Sequence, residues 1–464
     1  MQSTERVESL DQLAAHYRSI NEQGDLFVGI EWERSGVYRD TFKPVTYYGD
    51  NGYQAVLHKL VKEVGWGVKE KIDDMITELK RRETRVTTEG DGRLELAGSP
   101  KENLHDLGRE FRLHDAEVQE MGRVFNIGWL PLGMQPLHGN KDITMLPKKR
   151  YRIFEGVGDP EFMETQTKRT NGFTVNVSVT DEKNAIRKAQ TAFRILPVVG
   201  AMLASSPLDR GKLAPYLDMR RYVIHNHAPQ RTALPGTFLD DDFSYRAWVE
   251  FIAGLPVVLI KGEQGDDVRP DNLTFLRWMK EGYEGRYPTV EDFDQHVKTT
   301  WPDIRLRQSY LEYRVPDSVP LPYGMACAAF VKGLLMDSVS WEAVDQLFGK
   351  WSQEDVLNAD REAWRGGLQT EVHGKKLLHY AQELLIISTE ALHRFQRIDG
   401  SGADESAYLA PLKEQIHIRE KSIAEEIAIL WEKDWAGDPL RLLEYCDRLS
   451  GVAAASRITA QTAH

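Results

Sequence analysis

Cysteine is nearly missing from this chain, with Cys327 and Cys446 the only two in 464 residues. Two thiols so far apart, each in helix-like surroundings, cannot build a disulfide framework, and such a chain suits a reducing compartment. No apolar run of 18 residues occurs, and residues 1–8 have no apolar core of the kind a secretory leader needs. The expectation is a soluble cytoplasmic protein with no membrane partner. Basic excess is missing too: 59 Lys and Arg stand against 71 Asp and Glu, for a net charge of −12. General nucleic-acid binding, which needs clustered bases on phosphates, is thereby excluded. There is no G-x-x-x-x-G-K-[ST] loop, no G-x-G-x-x-G after a strand and no G-x-S-x-G. If a nucleotide binds, metal and discrete bases must meet its phosphates. No Gly/Ser- or Pro-rich linker and no internal repeat divides the chain.

What is present is an ordinary core-forming composition, 41% hydrophobic. Helical spacing marks 8–20 and 52–64, a charged helix 101–123, and an Asp181-capped helix running towards Leu203. Strand patterns mark 27–33, a hairpin over 84–97, then 126–135, 172–179 and 304–314. Residues 138–150 form a loop rich in Lys, Arg and Pro, 207–240 is loop-rich, and 243–298 is helical or mixed. Strands and helices intermingle without a βαβ rhythm, which predicts an α+β fold with an antiparallel sheet. One catalytic domain over 1–464 is expected, with a sheet-bearing core at 27–320, a mainly helical part at 322–450 and a flexible tail at 452–464.

The most informative stretch is 88–100, where Glu89 precedes a Gly-Asp-Gly turn and Glu95 sits between Leu94 and Leu96. That alternation turns Glu95 to the face opposite its leucines. Upstream, Glu31 and Glu33 are two apart on a strand, so they share a face roughly 6.5–7 Å apart. Carboxylates gathered in this way repel one another, and some take up protons unless a cation intervenes. Magnesium, held by one or two carboxylates plus substrate phosphates, is one remedy. Pairing with Arg34, Arg93 and other bases is the other, and spacing alone does not decide between them. Lys148, Arg150, Arg169, Arg220, Arg231 and Arg314 are candidate phosphate or carboxylate partners, most of them at strand ends or in loops. His225 and His227 would share a face if they lay on a strand, but with no Cys nearby zinc is a poor fit.

The order of these motifs resembles the plant-type glutamate–cysteine ligases, relatives in fold of glutamine synthetase. Seven segments carry the likeness over 27–320: Gly29-Ile30-Glu31-Trp32-Glu33, residues 88–100, Gly133-Met134-Gln135-Pro136, Pro147-Lys148-Lys149-Arg150-Tyr151, Arg169-Thr170 with Val175-Asn176, then Ser206-Pro207 with Met219-Arg220 and Arg231-Thr232, and Leu311-Glu312-Tyr313-Arg314. The resemblance implies a six-stranded antiparallel sheet cradling the active site, with helices outside. It implies ATP and Mg2+ as cofactors, with Glu31, Glu33, Glu89 and Glu95 as metal ligands or their supports. Lys148 and Arg220 would be catalytic, neutralising phosphoryl and acyl-phosphate oxygens. Arg150, Arg169, Thr174, Asn176, Arg231 and Arg314 would bind substrate or nucleotide.

The implied reaction is glutamate plus cysteine to γ-glutamylcysteine, with small-molecule amino acids as partners and self-association left open. The chain also departs from the family pattern. Arg93 stands where a Gln is usual, Thr174 and Ser178 replace Gln and Asp, and Ile224 replaces a Trp, followed by His225, Asn226 and Ala228. These changes near the substrates point to the alternative of a different acid or amine. A catalytically silent, ligand-binding relative is a third reading, which the retained carboxylates count against.

Overall fold

The computed structural model describes residues 5–18, 26–154, 156–262 and 267–451, with no side chains described at Lys149 and Arg150. The expected tail at 452–464 lies outside the described residues. Nine strands form the main sheet: β1 Val28–Tyr38, β2 Gly67–Ile72, β3 Met75–Arg81, β4 Thr84–Thr88, β5 Leu94–Ala97, β6 Ile127–Leu130, β7 Phe173–Ser178, β8 Ile304–Leu306 and β9 Tyr310–Tyr313. Their order is β8-β9-β7-β1-β5-β4-β3-β2, and β6 pairs with the far end of β1. All of these pairings are antiparallel.

The α+β antiparallel class is therefore as expected, but the sheet has nine strands rather than six. The expected 304–314 strand is two strands, β8 and β9, and the other two additional strands form the β2–β3 hairpin. It escapes pattern reading because β2 is an edge strand, exposed along almost its whole length and studded with Lys69, Glu70 and Lys71. Register shifts beside Glu70 also break the two-residue alternation there.

Elsewhere the alternation is clean, and it gives the sheet two unlike faces. Val28, Ile30 and Trp32 of β1, Leu94 and Leu96 of β5, and Phe173, Val175 and Val177 of β7 are all buried on one face. The Leu321–Leu335 helix lies against β1 and β7 on that face, and Glu182–Arg194 lies against β8 and β9. Leu104–Phe125 follows β5, with Leu104, Leu107, Phe111, Val118 and Met121 recurring at helical spacing on its buried side. Its first turn is capped by Asn103, which accepts from His105 N at 2.7 Å.

On this apolar side buried charge is matched within the chain. Arg34 pairs with Asp115, and Lys332 with Glu405 at 2.7 Å where both side chains are fully buried. One connected apolar core joins the back of the sheet to the helices of the C-terminal third. Cys327 and Cys446 are free and buried in two of those helices. Among the described residues no helix is long and apolar enough to cross a membrane.

The strand reading of His225-Asn226-His227 is overturned. Met219–His227 is a helix, started by Asp218, which accepts from Arg221 N at 3.0 Å. Helical residues two apart do not face each other. His225 Nε2 instead lies 2.8 Å from Asp303 Oδ2, and His227 Nδ1 lies 2.7 Å from Ile224 O.

Candidate functional site

The second face of the sheet is polar. Residues directly opposite in paired strands project to the same side. Glu33 stands opposite Glu95, Glu95 opposite Thr87 and Thr87 opposite Glu78, so one row across four strands carries three carboxylates and a hydroxyl. Glu31 is one pleat along β1, opposite Thr174 of β7. This row floors a cleft of about 740 Å³ that is also lined by Glu31, Glu89, Arg93, Lys148, Arg220 and Arg314. The four predicted acidic residues are thus brought together from two chain segments.

Three carboxylates on the floor of the cleft have neutral hydrogen-bond donors beside them. Glu31 Oε1 accepts from Asn176 Nδ2 at 3.1 Å, Glu33 Oε2 from Gly172 N at 3.1 Å, and Glu95 Oε2 from Thr87 Oγ1 at 3.0 Å. Arg93, which is buried, donates to Asp91 at 2.7 Å and stands 3.7 Å from Glu33. Burial pushes Glu33 up to about 7 despite the opposing pull of Arg93. Glu95 is pushed well above the usual carboxylate range, first by burial and then by Glu89, Glu31 and Glu33. Glu31 is raised by burial and by Glu312. Glu312 itself goes the other way: burial would raise it, but Arg305, Arg314 and Arg307 together hold it below its ordinary value.

A group of acids that each raise the next fits a hard divalent cation, because added positive charge and oxygen ligation relieve both the repulsion and the burial. Among the described residues no three His, Cys, Asp or Glu side chains are arranged to hold a metal by themselves. Magnesium ordinarily completes its shell with water and substrate phosphates.

The bases sort into two groups. Lys148 lines the cleft and donates to Thr88 O at 2.8 Å, at the end of the acid-bearing hairpin. Arg220 and Arg314 also line it, and Arg314 Nη1 is 3.6 Å from Glu312. Arg169 and Arg231 do not line it, a correction to their expected role. Arg169 donates to Gln135 O at 3.1 Å and pairs with Asp209 at 2.6 Å, while its side chain is 1% exposed. Arg231 is buried and donates to Thr299 O, Pro256 O and Thr299 Oγ1 at 2.7–2.8 Å, bracing the wall behind Trp301. Burial, helped by Arg269, pulls it down to about 10. The Arg150 side chain lies outside the described residues.

Thr174 is buried beside Glu31, and Asn176 lines a neighbouring hollow of about 690 Å³ that shares Glu31 and Arg85 with the cleft. Reading the sequence missed Glu78, Arg85, Lys298 and Arg305 as cleft residues. For Arg305 the signal was available, since it stands opposite Glu312 in the β8–β9 hairpin. Tyr151, Phe154, Ile224, Leu259 and Trp301 supply an apolar part of the wall, of which Phe154, Ile224 and Trp301 are half-buried.

The family description that matches this chain is glutamate-cysteine ligase family 2 (GCS2), over residues 27–424. A chloroplastic glutamate–cysteine ligase of Nicotiana tabacum is 28% identical over 420 residues, 88% of this chain and 77% of that protein. That of Arabidopsis thaliana is 28% identical over 421 residues, again 88% of this chain and 77% of its own length. In fold the chain is similar to the crystal structure of a glutamate–cysteine ligase from Francisella tularensis in complex with AMP. That likeness has a TM-score of 0.54 and 14% identity, and covers 92% of this chain and 88% of that one.

Proposed function

The chain belongs to the glutamate-cysteine ligase family 2, and from that premise we propose that it is an ATP-dependent carboxylate–amine ligase joining glutamate to cysteine. The observation that carries the reading is the row of carboxylates on the polar sheet face, with Lys148, Arg220 and Arg314 on the same cleft. A carboxylate is a poor electrophile. Once one of its oxygens has taken the γ-phosphoryl group of ATP, an amine can attack the carbon and release phosphate. Charge spreads over phosphoryl oxygens on the way, and fixed cations aimed at those oxygens lower the barrier.

Lys148 and Arg220 take that role in this chain. Arg314 meets phosphate or the substrate's carboxylates, with Thr174 and Asn176 fixing the floor around Glu31. Glu31, Glu33, Glu89 and Glu95 would hold Mg2+ or support the residues that do. Bound there, the ion would neutralise phosphate charge and polarise the transferred group. Arg169 and Arg231 support the walls from behind. Two buried, unpaired thiols suit a reducing compartment such as the cytoplasm.

A second reading keeps the chemistry and changes the acceptor. Phe154, Ile224 and Trp301 leave apolar surface partly open on the cleft, which favours an amine with a larger apolar body than cysteine. The test of both is ADP release with glutamate and a panel of amines, with product mass identifying the amide. Turnover with cysteine supports the first reading and turnover with bulkier amines alone supports the second. The absence of ADP release with every acid–amine pair defeats the enzyme reading.

A further inference from the structure

Arg220 reaches the cleft, but what aims it lies outside the cleft. Its Nη1 donates to Val315 O at 3.3 Å and its Nη2 to Arg314 O at 3.2 Å, so the guanidinium is pinned to the backbone just beyond β9. Behind it sits Asp317, whose side chain is fully buried and does not line the cleft. Asp317 Oδ2 accepts from Ser205 N at 2.8 Å and from Ser206 Oγ at 2.7 Å, and Ser206 Oγ in turn accepts from Arg220 N at 3.1 Å. The second oxygen, Oδ1, has no hydrogen-bond donor and faces Arg220 Nη1 at 3.6 Å.

Two glycines make room for this arrangement. A Cβ on Gly133 would collide with the Asp317 carboxylate, and one on Gly172 would come within 2.8 Å of Arg220 Nη2. Gly172 is also the residue whose N–H binds Glu33, so Arg220 can approach the acid row only because that position lacks a side chain.

We propose that Asp317 is a positioning residue for the ligase reaction, orienting Arg220 towards the transferred phosphoryl group without tying up its charge. This rests on the ligase reading above. The neighbouring Arg221 shows the contrast: it bonds Asp303 at 2.6 Å and Asp360 at 3.0 Å, and is fully buried by them. A guanidinium held so tightly has little left for an anion. Arg220 is held instead by neutral carbonyls and by a carboxylate at longer range, which fixes its direction and leaves donors for a phosphoryl oxygen.

The experiment is a double-mutant cycle on the full-length protein, comparing wild type, D317N, R220K and the double variant for kcat and for the KM of ATP. D317N is expected to lower kcat about 10- to 100-fold while moving KM less than about threefold. In the R220K background it should cost nothing further. Losses that multiply, or a D317N enzyme with normal kcat, overturn the proposal. Should D317N not fold, S206A is expected to lose about fivefold in kcat, again only when Arg220 is present, and an equal loss with R220K overturns it. If R220K has no measurable turnover, the same cycle is read by calorimetry as affinity for inorganic phosphate, with the same criterion. A wild-type protein that turns over no acid–amine pair defeats the ligase reading itself. An active wild type with independent losses defeats only the role of Asp317.

Discussion

Charge is treated in different ways on the two sides of the sheet, fully buried behind it and half-buried in front. Behind it, Lys332 donates to both oxygens of Glu405 at 2.9 and 2.7 Å and to Glu102 O at 2.7 Å, while Leu104 N donates to the same carboxylate. Arg34 likewise has Asp115. In front, Glu31, Glu33, Glu89 and Glu95 share a cleft in which Arg93 divides its charge between Asp91 and Glu33. The contrast separates charge that holds the fold, matched inside the chain, from charge that a ligand is meant to match. Crowded carboxylates that raise one another cost stability, so such a cluster marks where stability has been given up for binding.

That contrast can be broken in four ways. The largest effect is expected from Glu95→Gln, which should lower turnover by about 10³-fold while leaving the melting temperature unchanged or higher, because it removes repulsion. ADP release within tenfold of wild type would sink the functional half of the comparison. Next, Lys332→Met should cost about 3–5 kcal/mol in urea unfolding, because it strands Glu405, and adding Glu405→Leu should recover most of that. A single variant that unfolds like wild type would mean that the matched pair contributes nothing to the fold.

Third is a pH effect whose sign differs between the two sides. Glu33 is raised to about 7, so the folded state holds its proton more tightly than the unfolded chain does. Its contribution is full below about pH 4.3 and is lost as pH climbs through about 7. Behind the sheet, burial lowers His114 of the Leu104–Phe125 helix to about 4, so it favours folding at neutral pH and penalises it as pH falls below about 6.5. Mg2+ with a non-hydrolysable ATP analogue should therefore raise the melting temperature more at pH 8 than at pH 5.5, by a few degrees. An equal shift at both pH values would detach Glu33 from the cation. The smallest effect is expected for Arg231→Met, which should cost about 1–3 kcal/mol of stability and leave kcat within about threefold. A tenfold change in KM for ATP or glutamate would return Arg231 to the site.

The Glu33 and Glu95 part of the polar row was legible in the chain because a two-residue period assigns faces without any knowledge of the partners. Glu95 between two leucines, and Glu31 and Glu33 beside Ile30 and Trp32, could only emerge on the side away from the core. The order of motifs carried the family and the antiparallel class. Arg169 and Arg231 were misplaced because an arginine beside a strand or turn reads the same whether it meets a ligand or a backbone carbonyl. Thr299 and Pro256, which claim Arg231, are distant in sequence and neutral. Asp317 was invisible for the same reason, since its importance lies in Ser205, Ser206 and Arg220, all about a hundred residues earlier. The β2–β3 hairpin was lost because an exposed edge needs no apolar side.

The pairing of Glu33 with Glu95, and of Glu95 with Thr87, has a consequence for length rather than composition. One residue added to or removed from 89–93 would slide β5 by a single position against β1 and β4. Leu94 and Leu96 would swing to the wet side and Glu95 would be driven in among the oily side chains. Among relatives of this protein the connection between these two strands should hold its residue count fixed, with insertions and deletions displaced to the outer edge strand β2, where a slip exchanges one solvated side chain for another.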